Sequence, residues 1–124
     1  MTIIGGGLFP RTALVLSRLL PRARLTLVDA VPAHLQHARA FLEPVTRERP
    51  ASIRFVAGVF DPAAPEHAAD LVVVPLAFRG DRGRFYATPP APRVAVHDWL
   101  WRHRGTKGTR VSTLLLKRLN LIIR

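Results

Sequence analysis

Apolar residues follow two rhythms along this chain: short uninterrupted runs, and longer stretches in which they recur at intervals of three and four. The runs read as buried strands and the spaced stretches as helices that bury one face. Thr2 to Ile4 is a brief run entering Gly5-Gly6-Gly7, and Pro10 stands where a helix would begin, its fixed φ suited to the first turn. Leu14, Val15, Leu19 and Leu20 then keep helical spacing until Pro21. Leu25, Leu27 and Val28 form a second strand ending at Asp29, and Pro32 opens a helix from about Ala33 to Leu42. Further strands are predicted at Ile53 to Ala57 and at Leu71 to Val74, the latter a continuous run of the kind central parallel strands show. Between them Asp61-Pro62 and Pro65 mark a turn, with one short helical turn at Pro65 to Ala69. The arginine-rich stretch Phe78 to Tyr86 holds another short helix, and Pro89-Pro90-Ala91-Pro92 connects it to a fifth strand, Arg93 to Val96, continuing toward Leu100. After a loop at Gly105 to Gly108, Val111, Leu114, Leu115 and Leu119 fit one helical face, and Leu121-Ile122-Ile123 makes a sixth, terminal strand. The alternation predicts a three-layer α/β fold with a mostly parallel sheet of five to six strands.

A chain of 124 residues is the size of one domain, here spanning 1–124. With no cysteine there is neither a disulfide framework nor a thiolate nucleophile or ligand. Arg11, Arg18, Arg22 and Arg24 interrupt the first apolar region, so no segment spans a bilayer, and three glycines after four residues do not make a signal peptide. A cytoplasmic protein is expected. The net charge of +11 is uneven: residues 1–78 carry 8 basic and 6 acidic side chains, residues 79–124 carry 11 and 2. Such a field attracts phosphates or an acidic partner. One alternative function is therefore a basic nucleic-acid-binding module presenting Arg102, Arg104, Lys107, Arg110, Lys117 and Arg118. Another is a non-catalytic subunit of a homo-oligomer, completed by a partner at an exposed sheet edge.

Chemistry is expected at the first strand–helix turn. Gly5-Gly6-Gly7 turns sharply and leaves no side chain between backbone and ligand, while the following helix aims its N-terminal amides at the same space. Asp29 lies 24 residues after Gly5 at the end of the second strand, where a carboxylate accepts hydrogen bonds from ribose hydroxyls. Together these predict a nucleoside site; read separately, they are a tight turn and a helix cap. A dinucleotide loop would read G-x-G-x-x-G, but here the last position is Pro10.

This G-x-G-x-x-P loop resembles that of the Rossmann-like class I S-adenosylmethionine-dependent methyltransferases, and the run Gly5 to Leu16 is similar to nicotianamine synthase-type members. The resemblance implies a cofactor loop of Gly5, Gly6 and Gly7, with Asp29 on the ribose and Ala30 beside it. Val56-Ala57-Gly58-Val59-Phe60-Asp61 is similar to the end of the third strand in that superfamily, which places Phe60 and Asp61 at the adenine. Asp70 to Leu76, including Pro75, looks like the fourth strand, which borders the transferred methyl group. The implied function is S-adenosylmethionine-dependent methyl transfer to a small molecule. The chain departs from the pattern at Ile3, where an acid is common, and at Val74-Pro75-Leu76-Ala77, which offers no polar side chain to orient a nucleophile. Against that pattern it also lacks the preceding helices and a seventh strand.

Three further groups carry chemistry. His97-Asp98 at the end of strand five reads as a base and its orienter, beside Trp99 and Trp101 for stacking, or as one core and one solvated side chain. His34 and His37 share a helix face but have no third ligand, so no metal is expected. Arg79-Gly80-Asp81-Arg82-Gly83-Arg84 reads either as a clamp for a carboxylate or phosphate or as a solvated loop with Asp81 paired locally.

Overall fold

The computed structural model describes residues 1–8, 10–50, 52–101 and 108–124. Its elements run β1 (Thr2–Ile4), α1 (Arg11–Leu19), β2 (Leu25–Asp29), α2 (Pro32–Glu48), β3 (Ile53–Ala57), a 3-10 turn (Pro65–His67), β4 (Leu71–Val74), α3 (Gly83–Ala87), β5 (Arg93–Trp99), β6 (Gly108–Leu114) and β7 (Lys117–Ile123). They build one sheet in the order β3-β2-β1-β4-β5-β7-β6, in which the first five strands are parallel and β7 and β6 antiparallel.

Alternation along the strands sorts the core into two layers. Ile3, Leu27 and Val73 face α1 and α2, where Ala13, Leu35, Ala38 and Leu42 meet them. Ile4, Val28, Val72, Val74, Val94 and Val96 face the other way, onto Phe85 and Tyr86 of α3 and Phe60. A strand with both faces covered has little room for polar side chains, hence the continuous apolar run of β4, while in β1 the buried Thr2 hydroxyl is satisfied by the His67 carbonyl (3.1 Å). The Tyr86 hydroxyl accepts a 2.8 Å hydrogen bond from Asn120 Nδ2, and burial, the largest influence, raises the phenol above its usual range.

Helix α2 runs six residues past the expected Leu42, through Pro44. Pro44 is exposed, and the next residue, Val45, is buried in the α-side core, so packing outweighs the broken backbone bond. Arg49 then ties the end of α2 to α1, donating to the carbonyls of Ser17 (2.8 Å) and Pro21 (2.6 Å).

The C-terminal segment differs most from its expected form. The helix predicted through Val111, Leu114, Leu115 and Leu119 is instead the hairpin β6–β7, and the sheet has seven strands rather than five or six. The reason is twofold. All seven residues of β5 pair with β7, satisfying backbone groups a helix would have left exposed along β5. The turn is made by Leu115 and Leu116, with Leu115 at φ 54°, where hairpins ordinarily show Asn-Gly or Asp-Gly. No turn signal therefore interrupts the leucine spacing. The outermost strand β6 carries a register shift between Arg110 and Ser112, the kind of irregularity that blunts a free edge. Among the described residues no helix is long and apolar enough to cross a membrane.

Candidate functional site

The carboxyl ends of β1, β2 and β3 are tied by backbone bonds beyond the strands: Gly5 N–H donates to Val28 O (2.8 Å) and Gly58 N–H to Asp29 O (3.0 Å). This fixes three exit loops around a cavity of about 830 Å³. Such a volume lies within the range of small-molecule and cofactor sites, roughly 300–1,000 Å³.

Asp29 organises the floor. Its Oδ2 accepts the N–H of Gly7 (2.9 Å), and its Oδ1 accepts that of Val31 (3.0 Å) and lies 3.2 Å from His34 Nδ1. The carboxylate is 5% exposed and lines the cavity. Four lone-pair positions against three neighbours leave it one acceptor position for a ligand. The glycines have separate reasons. Gly5 has φ 62°, a conformation side chains resist. Gly7 is required by space, since a Cβ would lie 2.9 Å from both Asp29 Oδ2 and His34 Cβ. Phe78 covers Gly5, its ring 3.0 Å from where a Cβ would stand.

Gly5, Asp29, Ala30 and Phe60 line the cavity, whereas Gly6, Gly7, Asp61 and Pro75 stand outside its wall. Asp61 is exposed and its Oδ1 accepts the Ala63 N–H (2.9 Å), turning the carboxylate into its own loop. Its backbone N–H donates to Nδ1 of buried His67, whose ring stacks on Phe60 and holds that residue under the cavity. Sequence reasoning missed His34 beside Asp29 and Phe78 over Gly5; the five-residue spacing from Asp29 was a usable signal for the first, and nothing local marked the second.

The opposite end of the cavity is walled by Leu76, Phe78, Arg79, Asp81, Arg84 and Trp99. Beneath it Arg82 is buried. Its Nη2 donates to the carbonyls of Pro75 (3.1 Å) and Leu76 (2.7 Å), and its Nε lies 3.8 Å from Asp98 Oδ1. Asp98 is 1% exposed and stands opposite Arg118 in the β5–β7 register. His97 and Asp98 are neighbours in a strand and so point to opposite faces, which removes the base-and-orienter pair. The core-and-solvated alternative holds for Asp98, while His97 is half-buried.

Burial, and then Lys117 and Arg82, lower the His97 pKa below its ordinary 6.5. The unfolded chain thus binds more protons below that value, and stability falls as pH drops through 6.5 toward the folded-state pKa. His97→Gln is expected to flatten this part of the stability–pH curve, measured by urea denaturation at several pH values; an unchanged slope would show that other groups set it.

His37 stacks on Phe41 while His34 faces Asp29, and no cluster of metal-ligating residues occurs among the described residues. Of the basic residues proposed for nucleic acid, Arg118 is buried beside Asp98, and Lys117 lies 5.6 Å from the Trp99 ring centre. Arg102, Arg104 and Lys107 lie outside the described residues, as do Phe9 and the loop 105–107.

No protein-family model and no curated protein matches the chain. Solved structures do. An rRNA methylase from Escherichia coli matches over 99% of this chain and 56% of its own, with 17% identity and a TM-score of 0.62. The mitomycin 7-O-methyltransferase MmcR matches over 99% and 48%, with 20% identity and a TM-score of 0.67. A mutant of MtNAS in complex with S-adenosylmethionine matches over 99% and 53%, with 17% identity and a TM-score of 0.69. The chain thus spans about half the length of these three proteins. In its strand order and its glycine loop against Asp29, the chain shares the Rossmann-like α/β fold of these three proteins.

Proposed function

We propose that this protein binds S-adenosylmethionine in the cavity above the glycine loop and transfers its methyl group to a small molecule. The observation that carries the reading is the Gly7 N–H bond to the Asp29 carboxylate, which braces the glycine loop against β2 where Gly5 and Asp29 border one cavity. A bound S-adenosylmethionine is supported by the similarly folded MtNAS complex.

In this reading Asp29 offers its remaining lone pair to a ribose hydroxyl. Gly5 and Ala30 permit close approach, and Phe60 lies beneath the adenine. Val31 and Val59 line the same end while 43% and 74% exposed, apolar surface that an adenine would cover. Gly6, Asp61 and Pro75 act at one remove: Asp61 shapes the loop after β3, and the Pro75 carbonyl anchors Arg82. The cofactor supplies an electrophilic methyl group, whose bond to the sulfonium sulfur breaks as an acceptor lone pair bonds to carbon, leaving S-adenosylhomocysteine. The chain's part is to align the two partners, which can supply a large share of the barrier reduction in such a displacement.

Calorimetric titration tests this. Saturable binding of S-adenosylmethionine is expected, and Gly7→Ala should abolish it by driving the loop off Asp29, while Val59→Ser should weaken it only modestly. Absence of saturable binding to the unaltered protein would overturn the proposal.

A further inference from the structure

Two sequence features some fifteen residues apart, the arginine-rich loop after β4 and the tryptophan ending β5, meet in one wall of the cavity, at the end away from Asp29. We infer that this end receives an acceptor with an apolar body and a negative charge, such as an aromatic carboxylate, gripped by Arg79 and Arg84. The inference rests on the cofactor reading only in calling that ligand the acceptor.

The charges decide the sign. Of the three arginines in this wall, Arg82 is buried and matched to Asp98. Arg79 and Arg84 are exposed at the mouth, and Arg84 lies over the Phe85 ring, 4.9 Å from its centre. Against them, among the described residues at this end, stands one carboxylate, Asp81, whose Oδ1 accepts the Gly83 N–H at 2.8 Å and so serves the start of α3. Lys117 adds a further cation at Trp99. A guanidinium beside an apolar wall favours a carboxylate, which accepts paired hydrogen bonds from its planar fork. A protonated amine is repelled. Leu76, Phe78 and Trp99 supply the apolar wall.

The same field bears on the reaction. Among the described residues no histidine or glutamate lines this end, and the Asp81 carboxylate there already accepts the Gly83 N–H. An acceptor hydroxyl made acidic by an aromatic ring is further acidified beside Arg79 and Arg84, because nearby cations favour the ionised form. Its proton leaves to solvent, and the oxygen lone pair is then free to bond to carbon.

Three probes of one shape test the site: 2-naphthoate, neutral 2-naphthamide and cationic 2-naphthylmethylammonium, each titrated by calorimetry. The naphthoate is expected to bind saturably, the amide about tenfold more weakly, on the scale of one charge-assisted contact, and the ammonium not at all. Substituting Arg79→Gln and Arg84→Gln together should erase the preference for naphthoate over the amide. Equal binding of the probes, no binding of naphthoate, or an unchanged preference in the double variant would overturn the inference. Titrating the unaltered protein with S-adenosylmethionine keeps the two readings separate. Charge discrimination without cofactor binding would defeat the proposed function and leave the anionic site standing; cofactor binding without discrimination would do the reverse.

Discussion

Asp29→Ala is expected to lower stability by about 2–4 kcal/mol, the scale of leaving one buried and one part-buried N–H donor unmatched, and to abolish S-adenosylmethionine binding. Both effects have one cause. The carboxylate is the partner of the Gly7 and Val31 N–H groups before it is anything to a ligand, so removing it releases the loop as well as the ribose contact. The released loop keeps its glycines and loses its shape. Asp29→Asn separates the two roles, because the amide keeps one oxygen for a backbone donor and its NH2 faces the other. It should recover part of the stability and little of the affinity. Chemical denaturation and calorimetry on both variants provide the measurement, and an alanine variant with unaltered midpoint would refute the brace.

Asp98→Ala is expected to cost about 3–5 kcal/mol, as breaking a buried ion pair does. The carboxylate lies 3.8 Å from Nε of Arg82 and opposite Arg118 in the β5–β7 register, residues 6% and 8% exposed, and without it these two buried cations lose a nearby negative charge. The damage should reach the cavity, since Arg82 holds the Pro75 and Leu76 carbonyls at the exit of β4. Asp98→Asn preserves volume and hydrogen bonding but not charge, and should be nearly as unstable as the alanine variant. An asparagine variant within about 1 kcal/mol of the parent, the range of an ordinary substitution, would show that packing rather than charge governs this position.

The first four strands, α1 and the start of α2 are legible because local and tertiary demands agree there. Thr2–Ile4, Leu25–Asp29, Ile53–Ala57 and Leu71–Val74 alternate with helical spacing and are punctuated by Gly and Pro, and the parallel sheet buries what the pattern says it must. The convergence of Gly5-Gly6-Gly7 with Asp29 follows from the same regularity, since two adjacent parallel strands bring their carboxyl ends together. The direction of Asp61 was not legible: a carboxylate two residues before a backbone N–H can turn either to that donor or to a ligand, and short-range geometry settled it.

By itself, then, the sequence determined the class of fold, the order of its first five strands along the chain and the position of the glycine turn that borders the cavity, because each depends on residues within a few positions of one another. Only the tertiary structure decided the rest. The Leu115–Leu116 turn carries no local signal, and the free flank of β5 selected a hairpin over a helix. Asp98 met Arg82 and Arg118, and Arg79 and Arg84 came to share a wall with Trp99, through contacts between segments far apart in the chain. Periodicity records which face of an element is buried and not what stands across from it; the opposing partner is fixed when the sheet assembles.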